Sequence, residues 1–274
     1  MKFKFIFILF NIIITVFFIF IWLFPLISFG NNFTLVFWKQ NWYLGLIIIL
    51  ILAGLNVFYA LNHRLFSLLE KEDWPALALY LEERIFGRGR YSPRLVRLLA
   101  NTYLVLSDSP AVLSLENKIA LIKPELLERN ALVFGAARIL IKDYSGAADF
   151  FSSQMKSPAA LNTQGRWLQF YRGFSLLLDK RAEDAAPDFT ILVSESADAL
   201  LTGLSAYFLA EIISRALQEQ RTRLLAFADL GKGRLRETLK TQDAWNREVS
   251  KVQNEIHTAM LTKYLTEAGR WLYG

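Results

Sequence analysis

The chain has 274 residues, 54% of them hydrophobic, with 22 Phe, 7 Trp, no Cys, two His and a formal net charge of +6. That composition is too apolar for a disordered chain and for an ordinary soluble domain. The absence of Cys excludes a disulfide framework, thiol catalysis and Cys-built metal or iron–sulfur sites, and two His at 63 and 257 argue against a His-rich metal site.

Charge is unevenly spread. Residues 1–61 carry Lys2, Lys4 and Lys39 and no acid, residues 62–216 are neutral, and residues 217–274 hold ten basic and seven acidic groups. A nucleic-acid-binding domain concentrates a basic excess on its folded part. No such concentration is present here, and no nucleic-acid partner is expected.

Residues 5–29 form an uncharged run, FIFILFNIIITVFFIFIWLFPLISF, interrupted only by Asn11 and Pro25. At about 1.5 Å per residue it is long enough for a hydrocarbon layer of roughly 30 Å. Residues 43–61 form a second uncharged run. Trp22, Trp38, Trp42, Tyr43 and Tyr59 stand near the run ends, where amphipathic rings favour the headgroup region. The first run is longer than a signal-peptide core and lacks a small-x-small cleavage site. The reading is a transmembrane helical hairpin over 1–61, with a loop of about residues 30–42. Lys2 and Lys4 before it and Arg64, Lys71 and Arg84 after it, against Lys39 in the loop, place both ends on the inner side of the cytoplasmic (inner) membrane.

From about residue 64 apolar residues recur every three to four positions in segments broken by EKED (70–73), GRGRYSP (87–93), SDSP (107–110), KDYSG (142–146) and DKRAED (179–184). No two-residue alternation is sustained, so helices joined by short breaks are expected and no sheet. Residues 128–161 resemble the tetratricopeptide repeat. Gly135 takes the small helix-crossing position, Tyr144 the aromatic, Ala147 the second small position, Phe151 the large apolar position and Pro158 the end. The frame recurs from Leu65 (Trp74, Leu77, Leu81), Ala100 (Ser109, Val112, Pro124) and Gly173 (Ala182, Ala185, Phe189), with Gly203 opening a degenerate unit over 199–220. Anchors at 65, 100, 135 and 173 lie close to that family's 34-residue period. The resemblance implies a helical solenoid over 62–216 that presents a face to partner proteins.

In the tail, 217–274, Trp245, Val249, Val252, Ile256, Met260 and Tyr264 form one helical stripe, so 234–272 reads as one long helix capping the last repeat. The expected fold is all-α: a two-helix transmembrane hairpin, a tetratricopeptide-like solenoid and a long C-terminal capping helix.

No constellation carries chemistry. Glu82–Glu83 and Glu183–Asp184 are sequence neighbours that point to different sides of a helix. GKGR (231–234) lacks the spacing of a phosphate loop and reads as a helix break. No cofactor, metal or catalytic residue is expected. Arg97, Asn101 and Arg138 are the candidates for a partner-binding clamp. Arg88, Arg90, Arg94, Lys232, Arg234 and Arg236 are candidates for contact with a membrane surface or an acidic partner. The expected function is a non-enzymatic scaffold in the inner membrane that assembles or stabilises a complex, such as secretion, envelope or flagellar machinery, with membrane-complex subunits and the lipid bilayer as partners. The alternative is a membrane-surface adaptor that delivers clients. The Phe/Ile-rich, Cys-free style and two-span-plus-repeat plan look like spirochaete membrane proteins, some of which build the flagellar collar.

Overall fold

The structure is a computed structural model that describes residues 2–155, 163–252 and 256–274. The chain is all-α, with no strand among the described residues. It divides into two compact units, Met1–Glu83 and Arg84–Gly274.

The first unit is dominated by α1 (Lys2–Glu70), a long apolar helix whose backbone leaves helical geometry only at Gly30 (φ 77°) and Asn41. Gly30 is the one position here where glycine's freedom is needed, because L side chains are disfavoured at that φ. Residues 31–40, expected as a loop, are helical between these two breaks, and helix runs on past the expected end of the second run at 61. The apolar side chains point outward: Ile27 is 75% and Leu35 73% exposed. Residues far apart in sequence meet: Phe7 stacks on Tyr59 at 3.9 Å, Trp22 meets Trp38 edge-on at 6.4 Å, and Asn56 Nδ2 donates to Asn11 Oδ1 at 2.8 Å. A short helix, α2 (Trp74–Glu82), closes the unit.

After one π-helical turn (Glu83–Gly87), the second unit comprises α3 (Pro93–Val105), α4 (Ser109–Ile122), α5 (Glu125–Arg129), α6 (Ala131–Leu140), α7 (Tyr144–Gln154), α8 (Thr163–Leu178) and α9 (Ala182–Glu195). A bent helix follows, made of α10 (Ala199–Phe208), a π turn (Leu209–Ile213) and α11 (Ser214–Ala216), and it packs against α12 (Arg221–Thr238).

One turn is built four times. Glu72, Ser107, Lys142 and Lys180 all take positive φ, at spacings of 35, 35 and 38 residues. Each is followed by a backbone N–H that reaches five residues back: Asp73 to Leu68, Asp108 to Tyr103, Asp143 to Arg138, and Arg181 to Leu176. The positive-φ residue itself donates three residues back, to Leu69, Leu104, Ile139 and Leu177. This pair of bonds closes the helix C-terminus in the Schellman manner. It offsets the roughly 1–2 kcal/mol that a non-glycine residue pays in this region. In the first three turns the next Asp caps the following helix, accepting from the N–H of Ala76, Ala111 and Gly146.

Two helix crossings set a glycine against an aromatic ring. Gly135 lies against the ring of Phe151 and Gly173 against that of Phe189, each sixteen residues on, and both Phe are fully buried. Gly233 and Gly231 sit within α12, so GKGR is not a helix break; Gly231 lets α12 approach Val193 and Ala206.

The expected single long helix over 234–272 is overturned. The tail is α12, then α13 (Gln242–Val252), α14 (Ile256–Ala259) and α15 (Thr262–Tyr273). The first break comes at Leu239, where ψ is 79°; Thr241 then accepts from the N–H of Ala244 and starts α13. The stripe of apolar residues misled because its members face different neighbours. Trp245 is buried between Gly203 and Gly269, whereas Tyr264 meets Phe174 and Phe208. Pro158, the expected end of the best repeat, lies outside the described residues.

Candidate functional site

The helices α3, α6, α8 and α10 each open a helix pair. The chain's own tail lies along α6, α8 and α10. The Tyr171 hydroxyl, on α8, donates to the carbonyl of His257 at 2.7 Å and meets its Nδ1 at 3.0 Å; His257 is 6% exposed. Trp167 of α8 packs edge-on against the same imidazole. Farther along, Tyr264 meets Phe174 and Phe208, and Tyr207 donates to Glu267 at 2.9 Å while its ring meets Trp271. α14 also packs on α6. Two hydrophobic rows, one from the first helices and one from the tail, thus cover each other.

Trp245 fixes this arrangement. A Cβ on Gly203 would stand 2.6 Å from its ring and one on Gly269 2.8 Å, and its indole N–H donates to the Leu265 carbonyl at 3.1 Å. The ring is 1% exposed. Sequence reasoning placed Trp245 on a helical stripe but had no signal for the two glycines, 42 residues before and 24 after.

The α8–α9 pair holds an ion pair. Arg172 donates through Nε (2.8 Å) and Nη2 to Asp188, whose side chain is fully buried, and Gln169 adds a third donor at 3.4 Å. Burial pushes the Asp188 carboxyl up, and Arg172 pulls against that shift. The donors engage both carboxylate oxygens, so the group acts as a structural pin between α8 and α9. Burial, and the Glu267 acceptor, push the Tyr207 phenol up to about 12. An unfolded Tyr titrates near 10. Stability attached to this hydroxyl is therefore intact below pH 10 and falls away as the pH rises toward 12. An ultraviolet titration difference between the wild type and Tyr207→Phe is expected to isolate one phenol ionising about two pH units above the ordinary value; a difference centred near pH 10 would show that Tyr207 is not held this way.

Two of the three clamp candidates, Arg138 and Arg97, are engaged by other groups. Arg138 pairs with Glu116 through its two terminal guanidinium nitrogens, Nη1 at 2.5 Å and Nη2 at 3.1 Å, and stacks on Phe150. Arg97 is exposed and donates to the carbonyl of Arg129 at 3.1 Å and to Asn130 Oδ1 at 3.4 Å. Asn101 Oδ1 is buried and accepts no hydrogen bond.

The basic run in α12 points at helix ends. Arg234 donates to the carbonyls of Val193 (2.5 Å), Ser194 (3.0 Å) and Ser196 (3.2 Å), where α9 stops. Arg236 donates to Leu272 O at 2.8 Å and Lys232 to Trp271 O at 2.7 Å, where α15 stops, and Lys232 sits over the Trp271 ring. Each cation answers carbonyls that have no partner within their own helix. Arg234→Gln is expected to destabilise the second unit by about 1–3 kcal/mol, because three charge-assisted bonds go at once; thermal melting of the variant checks this, and an unchanged midpoint would assign Arg234 to solvent. Arg88, Arg90 and Arg94 are exposed around the loop before α3. Among the described residues no group of three His, Asp or Glu is placed to hold a metal ion.

A family model described as "Uncharacterised Treponema protein" matches residues 111–274. An "Uncharacterized protein" of Treponema pallidum (strain Nichols) is 28% identical over 234 residues, covering 83% of this chain and 74% of that protein. No solved structure matches.

Proposed function

The chain belongs to this Treponema family, whose model covers more than half of it, and from that premise we propose that it is a non-enzymatic scaffold anchored in the inner membrane. The two apolar stretches of α1 would be a transmembrane hairpin. Support comes from the outward-facing apolar side chains and from the pairs Phe7–Tyr59, Trp22–Trp38 and Asn11–Asn56, which need the stretches side by side. An amide pair between two helices is a favoured contact where water is absent. The following helices would be a tetratricopeptide-like array. The observation that carries this reading is the turn rebuilt at 72, 107, 142 and 180, with glycine-on-Phe crossings at 135 and 173. A chain that repeats a helix pair and then lays its own tail on three of the first helices keeps α3 as the first helix for partners. Arg97 and the unbonded Asn101 Oδ1 lie on it.

Anchoring concentrates the array at the membrane, so moderate affinity for a partner segment suffices. The reading is tested by crosslinking in cells, gentle solubilisation of the full chain and mass spectrometry of what comes with it. A small, stoichiometric set of membrane-complex subunits, thinned by Asn101→Lys, is the expected result. Recovery of the chain alone overturns it.

A further inference from the structure

The second unit carries a basic and apolar patch where the loop before α3 meets the end of α4. Residues 84–94 contain four Arg and no acid, and residues 117–123 contain Lys118 and Lys123 and no acid. The fold brings these segments together. Lys118 Nζ lies over the Phe86 ring at 5.5 Å, and Lys123 Nζ lies over the Tyr91 ring at 6.0 Å. The nearest acid before them on α4, Glu116, is turned to Arg138 and buried, so it does not neutralise the patch. In the last turn of α4, between the two lysines, Leu121 is 88% exposed and Ile122 45%. Among the described residues Leu121 is the most exposed large apolar side chain of the second unit. Arg90 and Arg94 stand exposed on the loop side.

We infer that this patch is an interfacial lipid-binding surface that takes anionic phospholipid. The cations match phosphate-bearing headgroups, and a protruding Leu–Ile pair flanked by Lys fits the boundary between headgroups and acyl chains. Long Lys side chains that lie on aromatic rings keep their charge at the water side while their stems cover apolar surface. An acidic protein surface would be met by the charges but would leave Leu121 standing in water. The proposal rests on the anchored reading above, because an anchored chain holds the patch at high effective concentration near lipid.

The chain has no Cys, so one introduced at Leu121→Cys can be labelled alone. The full chain is reconstituted into vesicles of phosphatidylcholine with or without phosphatidylglycerol, with an environment-sensitive fluorophore at that position and nitroxide-bearing lipid as quencher. Leu230→Cys, at a 51% exposed site on α12, is the reference. Quenching at 121 that appears with phosphatidylglycerol, exceeds that at 230, and weakens about fivefold for each of Arg90, Arg94, Lys118 and Lys123 changed to Gln is the expected result. A label at 121 that reads the same in both lipids and the same as at 230 overturns the proposal, and leaves an acidic protein as the chemistry that fits. An alkaline wash of the neutral vesicles separates the two readings: a chain that stays with them is anchored whatever the patch does, and a chain that leaves them fails the anchored reading itself.

Discussion

Replacing Trp245 with alanine is expected to destabilise the second unit by about 3–5 kcal/mol, the range for removing a large aromatic from a filled site. In a domain of this size that corresponds to a midpoint roughly 10 °C lower. The effect is large because one side chain carries several roles. The ring fills the space left by Gly203 of α10 and Gly269 of α15, and its N–H satisfies the Leu265 carbonyl. No single repacking can close a gap bounded by three helices. Trp245→Phe keeps most of the ring and loses the hydrogen bond, and is expected to recover more than half of the loss. Thermal denaturation of the three proteins side by side checks the order. A Trp245→Ala protein that melts with the wild type would show that the tail is not docked on α10. Hydrogen exchange provides a second reading, since amides of α13 and α15 should lose protection before those of α6 and α8.

Gly135→Ala and Gly233→Ala are expected to move stability in opposite directions. Both glycines lie inside helices, where alanine is favoured by about 1 kcal/mol. At Gly233 nothing stands within 4 Å of the added methyl, so that gain is realised. At Gly135 the methyl enters the ring of Phe151, which is fully buried and has no free direction to move. Overpacking there costs about 1–3 kcal/mol or more, and the clash wins. Paired melting curves give the sign directly. A stabilised Gly135→Ala protein would mean that α6 and α7 do not cross at this point, and it would remove the main packing argument for a repeat.

Two close helix crossings were legible in the chain where a small residue and a large one sit sixteen apart, at Gly135 and Phe151 and at Gly173 and Phe189. Local packing writes such a pair into the sequence. The turns were seen only as polar breaks. Their shared device, a positive-φ residue followed by an Asp cap at 73, 108 and 143, was not read, because Glu, Ser and Lys do not advertise that backbone as glycine would. The tail was misread for a related reason. A periodic stripe reports that residues are buried, not that they are buried by the same neighbour, and Trp245 and Tyr264 face different helices. Arg234 and Arg236 look like solvated charge in one dimension; the carbonyls they answer lie about forty residues away in the chain. The Asn11–Asn56 pair is also invisible to a hydropathy reading, which records both residues only as interruptions.

The most direct test of an anchored array is the sidedness of the chain in the membrane. Its lack of Cys allows single reporters at Leu35, 73% exposed between Gly30 and Asn41, and at Gly233 in α12. Cells with a permeabilised outer membrane are treated with a membrane-impermeant maleimide before and after the inner membrane is opened, and the membranes are then washed at alkaline pH. The account predicts that Leu35→Cys is labelled at once, that Gly233→Cys is labelled only after opening, and that both stay in the washed membrane. Release of the chain by the wash, or labelling of both positions on the same side, would contradict a hairpin that holds the helical array at the inner face.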